Sequence, residues 1–146
     1  MTYEIERKWL VNEIPFSLGD YRHEEFVQAY IITSDNSCLR IRKSKTSHYE
    51  KYYLTVKAGQ GLKREEVEFE IKKDDFDQLF ELDKKILTKK RYYVNYYQVD
   101  FFTDRNLILV EVEFEDEIAA NDFEPPAWFG IEVTDDPKYL NQNLAK

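Results

Sequence analysis

Ionisable residues recur at every second position in several short stretches of this chain. Glu4, Glu6 and Lys8 do so in YEIERKWLV (3–11), Arg40 and Arg42 in CLRIRK (38–43), and Glu66 and Glu68 in REEVEFEIK (64–72). Lys89 and Arg91 follow in KKRYY (89–93) and Glu111 and Glu113 in LVEVEFE (109–115), while Lys57 and Asp100 stand singly in stretches of the same kind. An extended strand puts alternate side chains on one face. Residues two apart then sit roughly 7 Å from one another, where like charges repel. Repulsion repeated on stretch after stretch needs something to offset it. A polyanion bound together with metal cations does so: Arg and Lys grip phosphoryl oxygens, and clustered carboxylates hold hard divalent cations such as Mg²⁺ or Mn²⁺.

The elements that must carry these residues are mostly strands. Apolar residues alternate with the charged ones: Leu39 and Ile41, Leu54 and Val56, Val67, Phe69 and Ile71, and Val110, Val112 and Phe114. EFVQAYIIT (25–33) and KKRYYVNYYQVDFF (89–102) also read as strand segments. TSDNS (33–37), AGQGLK (58–63) and TDRN (103–106) supply short turns, so neighbouring strands pair antiparallel. Helices are expected over 74–87, with Asp74 as N-cap, over 115–123, stopped by Pro125 and Pro126, and over 135–145, with Asp136 as N-cap and Pro137 in the first turn.

A single strand of this kind reads as the solvated face of a sheet. Such faces normally mix in Ser, Thr, Asn and Gln; here almost every position on that face is ionisable. So many antiparallel strands suffice for a sheet that curls or closes. If it closes, the charged residues line a lumen and the apolar residues, Ile5 and Trp9 among them, face outward under the helices. That inverts the usual small barrel, whose interior is packed with side chains.

Composition narrows the function classes. With 146 residues, 42% hydrophobic and 16% aromatic, the chain suits a single domain, 1–146, with its own core. A net charge of −8 argues against a nucleic-acid surface. One cysteine, Cys38, excludes an internal disulfide and a cysteine zinc site and reads as a small buried side chain. No signal peptide or membrane-length apolar run is present, so a cytoplasmic protein is expected. The four glycines form neither GxxxxGK[ST] nor GxGxxG, and His23 and His48 match no ligand spacing and read as surface residues. Phosphate must then be held by side chains.

EIERK (4–8) resembles the ExExK signature of the CYTH superfamily, the triphosphate tunnel metalloenzymes. LRIRK (39–43), LTVK (54–57), REEVEFEI (64–71), KKRYY (89–93), VDFF (99–102) and LVEVEFE (109–115) are similar to the family's further strands in the same order, and 125–145 resembles the C-terminal segment of its short bacterial members. The resemblance implies a mainly β fold with flanking helices, a closed eight-stranded antiparallel barrel around a charged tunnel. It implies that Lys8, Arg40, Arg42, Lys57, Lys89 and Arg91 bind the phosphates, with Arg64 either joining them or balancing Glu66 and Glu68, and with Tyr30 touching substrate near the tunnel mouth. It implies metal binding by Glu4, Glu6, Asp100, Glu111 and Glu113, with Glu66 and Glu68 ligating directly or through water. Catalysis would fall to Lys8, Glu4, Glu6, Glu111 and Glu113 with Mg²⁺ or Mn²⁺. The segment with Tyr139 and Leu140 reads as packing over the barrel, with a lid as the alternative. Hydrolysis of inorganic tripolyphosphate by a monomer or homodimer is the expected activity. A class IV adenylate cyclase, a thiamine triphosphatase and a polyphosphate-binding module are the alternatives.

Overall fold

The computed structural model describes residues 2–146. Eight strands form a closed antiparallel barrel: β1 (Thr2–Leu10), β2 (His23–Thr33), β3 (Ser37–Lys45), β4 (Glu50–Ala58), β5 (Lys63–Ile71), β6 (Lys85–Val94), β7 (Tyr97–Phe102) and β8 (Ile108–Glu113). Around the barrel they run β1-β5-β4-β3-β2-β6-β7-β8, and β8 returns to β1. Closure leaves no sheet edge between first and last strand. Among the described residues, no helix is long and apolar enough to cross a membrane.

The helices are shorter than their sequence spacing predicts. The first, α1, covers Lys73–Phe80 with Lys72, not Asp74, at its N-cap. Residues 85–87, expected to extend it, instead begin β6, where Lys85, Ile86 and Leu87 pair with Tyr30, Ala29 and Gln28 of β2. Leu87 fits the helical spacing of Phe76, Leu79 and Phe80, but the ladder on β2 claims its backbone. The segment 89–102 divides into β6 and β7 at a two-residue turn, with Asn95 at φ 56°; Asn tolerates that left-handed conformation better than most residues. The second helix, α2 (Glu117–Asp122), is capped by Asp116, whose side chain accepts from the Ala119 N–H at 2.7 Å. The expected C-terminal helix breaks in two: a 3-10 turn, Pro137–Tyr139, capped by Asp136, then α3, Asn141–Leu144, with Leu140 extended between them.

The apolar outer face packs in two places. Ala29, Ile41 and Tyr52 bury against Phe76 of α1. Trp9, Val11, Val94, Val99, Val110 and Val112 bury against Phe129, with Phe123 and Trp128 beside it. The expectation that helices cover this face holds for the α1 sector; the second sector is covered mainly by the irregular segment after α2, residues 123–129. On β4, β5 and the start of β1, Val56, Val67, Phe69 and Tyr3 are exposed. A third cluster fills one end of the lumen itself. Tyr30, Cys38, Leu87, Phe102 and Leu109 point inward there and pack on Val133, Leu144 and Ala145. The backbone of Lys146 exchanges two hydrogen bonds with Ile86, at 2.8 and 3.0 Å. The C-terminal segment is therefore a plug, and the lumen is charged along only part of its length.

Trp9 is 2% exposed and packs on Phe123 and Phe129. Replacing it with Ala should cost about 3–5 kcal/mol, read as a lower urea midpoint at an unchanged denaturant slope.

Candidate functional site

Register decides which charges meet inside the barrel. Lys8 faces Glu111 across β1 and β8, and Lys57 faces Glu66 across β4 and β5. Both become ion pairs at 3.4 Å, and Lys57 also holds Glu4 at 3.0 Å. Glu6, by contrast, stands directly opposite Glu113. Carboxylate oxygens of Glu4, Glu6 and Glu113 lie within 4.8 Å of one another. Burial, followed by the charges of Glu111 and Glu4, pushes the Glu6 carboxyl up to about 8. Glu113 is raised by burial and the same two carboxylates.

Opposite signs meet elsewhere with different results. Burial works to raise Glu111, but Lys8 and Arg91 overcome it and hold this carboxyl well below its ordinary value. Burial likewise opposes the ionisation of Glu4, and Lys57 outweighs it, so Glu4 is lowered. Arg91 donates to Asp100 at 2.7 and 2.9 Å and to Glu111 at 3.1 Å, while Lys89 donates to Asp100 at 2.7 Å and to Asn141 at 3.3 Å. Lys89 and Asp100 have no side-chain exposure. Burial drives the Lys89 ammonium down and Asp100 offsets only part of it; Asp100 itself is lowered, because Arg91 and Lys89 outweigh its burial.

The basic side of the lumen is as crowded as the acidic side. Arg42 is lowered to about 10 by burial, then by Arg40 and Arg91. Arg40 reaches Glu68 only at 3.6 Å, and its Nε is buried with no hydrogen-bond partner among the described residues. Arg64 is held by the Gly59 carbonyl at 2.9 Å and by the Gln142 side chain at 3.4 Å. These groups surround a cavity of about 620 Å³, counted to its open mouth. Its wall includes Glu4, Glu6, Lys8, Tyr30, Arg40, Arg42, Lys57, Arg64, Glu66, Glu68, Arg91, Glu111 and Glu113, together with Leu140, Asn141 and Gln142 of the plug.

A CYTH domain model matches residues 2–142. The chain belongs to the CYTH family. It is 37% identical over 151 residues to an inorganic triphosphatase of Nitrosomonas europaea, covering 97% of this chain and 96% of that one. It is 35% identical over 156 residues to an inorganic triphosphatase of Acetivibrio thermocellus, covering 100% and 95%. The crystal structure of an inorganic triphosphatase superposes with a TM-score of 0.66 at 36% identity, over 99% of this chain and 95% of that one. A protein from Pyrococcus horikoshii shares the fold at 20% identity and a TM-score of 0.58, over 82% of each chain.

Within this CYTH barrel, most of the residues singled out from the sequence reach the cavity wall. Lys89 and Asp100 do not; they form a buried ion-pair group with Arg91 behind it. Both Asp100 oxygens already accept from cations, which suits a part in holding Arg91 rather than a metal. Tyr30 lies deeper than the expected mouth position: it is 3% exposed and packed in the plugged end. The segment with Tyr139 and Leu140 is packed in place, with the Tyr139 carbonyl accepting from Lys8 Nζ at 3.0 Å. His23 and His48 are exposed and Cys38 is buried, in line with their sequence readings.

Several polar residues of the interior stand outside the site residues read from the sequence. Gln28, Thr55, Gln142 and Glu24 are buried. Thr55 donates to Glu68 at 2.7 Å. Glu24 accepts from the Tyr49 hydroxyl and from the Tyr93 hydroxyl. Gln28 and Glu24 stand in phase with Tyr30 in HEEFVQAYIIT, so alternation alone would have placed them inside.

Two outcomes follow. In metal-free protein, Glu6→Gln should be stabilising above neutral pH. The native carboxyl holds its proton up to about 8 against an ordinary value of 4.5, so folding loses stability as pH climbs between those values. Gln stays neutral, so the variant's advantage should be absent near the lower value, grow between the two and level off above the upper one. Thermal melts across that range read it, at about 2–4 °C per kcal/mol relieved. Asp100→Asn should destabilise the metal-free protein by about 3–5 kcal/mol, because buried Lys89 and Arg91 lose their counter-charge. Denaturation in EDTA measures this, and an unchanged midpoint would return Asp100 to the metal ligands.

Proposed function

We propose that this protein is a divalent-metal-dependent triphosphatase that hydrolyses inorganic tripolyphosphate to diphosphate and phosphate. One observation carries the reading: one cavity sets glutamates against one another on one side and arginines against one another on the other. A lone anion would relieve only the arginines, and a lone cation only the glutamates. A polyphosphate chain with a divalent cation relieves both. The two inorganic triphosphatases of similar sequence support the substrate class.

The residues present suit such a cation. Glu4, Glu6 and Glu113 offer converging carboxylate oxygens, the hard donor set that Mg²⁺ and Mn²⁺ prefer. A cation bound there would neutralise phosphate charge and acidify a water molecule. Glu66 and Glu68, which also line the cavity, would serve it through water.

The other roles follow from the protein's own side chains. Arg40, Arg42, Lys8, Lys57 and Arg91 would clamp the phosphate oxygens and stabilise charge growing on the transferred phosphoryl group and on the departing diphosphate. Arg40 Nε, buried without a partner, is one donor free to do so. Glu111, pinned between Lys8 and Arg91, stays ionised and orients both cations; it is a poor proton acceptor. Glu6 and Glu113, protonated more readily than usual in the metal-free protein, would ionise as ligands of the cation, and a free oxygen of either carboxylate would take the proton from the attacking water oxygen. That oxygen bonds to a terminal phosphorus, the bridging P–O bond breaks, and diphosphate leaves with the bond's electron pair.

Purified protein with Mg²⁺ or Mn²⁺ should release phosphate from tripolyphosphate faster than from ATP, thiamine triphosphate or pyrophosphate, and EDTA should abolish the release. Cyclic AMP as the main product from ATP would replace this reading with a cyclase. Arg40→Ala and Glu113→Ala should each lower kcat/KM by about a hundredfold or more, equivalent to about 2.7 kcal/mol of transition-state stabilisation.

A further inference from the structure

The inward residues of β3, Arg40 and Arg42, have neutral neighbours on both sides. Arg40 stands opposite Tyr30 on β2 and Thr55 on β4, and Arg42 opposite Gln28 and Tyr53. Arg40 still reaches a carboxylate, Glu68, at 3.6 Å. Arg42 makes no ion pair among the described residues, and its side chain is nevertheless firmly held. Its Nε donates to Gln28 Oε1 at 2.8 Å, and its guanidinium lies 4.1 Å from the Phe26 ring centroid.

Gln28 is 0% exposed. Arg42 Nε has only a proton to offer, so the carboxamide must turn its oxygen toward Arg42. Its nitrogen then donates to the Tyr30 hydroxyl at 2.9 Å. Across β6 its register partner is Leu87, also 0% exposed, which offers no competing polar group. Burying a carboxamide is costly unless its hydrogen bonds are made, and here the two bonds define one orientation. Phe26, 3% exposed, also lies 5.3 Å from Arg91 and so underlies both guanidinium groups.

A carboxylate in place of Gln28 would hold Arg42 at least as tightly, because charge-assisted hydrogen bonds are the stronger kind. It would also cancel the positive charge. A neutral acceptor holds the group and leaves the charge available to an incoming anion. We propose that Gln28, backed by Phe26, is a positioning residue that fixes Arg42 as an uncompensated cation for one phosphoryl group of a polyphosphate chain. This rests on the triphosphatase reading above.

The test is calorimetric binding of imidotriphosphate, a polyphosphate analogue that resists hydrolysis, with Mg²⁺ present. The proteins are wild type, Gln28→Glu, Gln28→Leu, Arg42→Ala and the Gln28→Leu/Arg42→Ala double variant. Gln28→Glu should melt at or above the wild-type temperature yet bind at least about tenfold more weakly, the cost expected when a charged hydrogen bond to ligand is compromised. Gln28→Leu should weaken binding to a similar degree, and should add nothing in the Arg42→Ala background, since it acts through Arg42. Should Gln28→Leu fail to fold, Gln28→Glu alone decides. Wild-type affinity in Gln28→Glu, or full additivity in the double variant, overturns the role of Gln28 and leaves the triphosphatase reading standing. Failure of the wild type to bind the analogue overturns that reading and the role of Gln28 with it.

Discussion

The contact between Glu6 and Glu113 governs much of this molecule. They are direct partners on neighbouring strands, the arrangement in which like charges destabilise a sheet most. Among the described residues no cation forms an ion pair with Glu6: Lys57 is committed to Glu4 and Glu66, and Lys8 to Glu111. An open sheet would relieve the repulsion by turning these side chains to water. A closed barrel leaves them facing one another, and their register is fixed by the apolar residues that alternate with them. A one-residue slip would send Trp9 and Val110 into the lumen and the carboxylates outward. Packing on the outside thus forces two carboxyls together on the inside; Glu6 answers by keeping its proton up to about 8, and a bound cation would let both ionise.

The same logic explains why the charges are segregated rather than intermixed. Where the lumen needs rigidity, opposite signs meet and cancel, as in Lys89, Arg91 and Asp100. Where the lumen faces its cavity, cancellation is incomplete. Thr55, Gln28, Tyr30 and Tyr53 flank the β3 arginines at the positions where carboxylates would neutralise them. The interior therefore combines a compensated scaffold with an uncompensated surface, built on the same strands at alternate levels of the barrel.

Period-two alternation was enough to find most strands and nearly all of the charged wall, because each strand carries its own phase regardless of its partners. Closure was legible only as an inference from repeated like charges. The layering along the tunnel was not legible at all. Asp100 and Glu113 look equivalent in a linear reading, both acidic and in phase, yet one is enclosed by Arg91 and Lys89 and the other is exposed. Depth depends on strand tilt and on where the C-terminal plug enters, and no single strand encodes either. The helix expected to reach Leu87 failed for a related reason: local spacing favoured a helix, and the distant ladder on β2 overrode it. Gln28 was overlooked because an amide among charged residues draws no attention until its partners are known.

The plug has a consequence for how the barrel is completed. Lys8, on the first strand of the barrel, hydrogen-bonds to a carbonyl 131 residues later. Arg64 reaches forward 78 residues to Gln142, and β1 closes on β8. Strands β1 to β7 by themselves can pair only into an open sheet, with β1 and β7 as its unpaired edges. The cavity therefore exists only once β8 and the plug are docked. Without them the carboxylates would face water, free of the electrostatic conflict that defines the folded barrel.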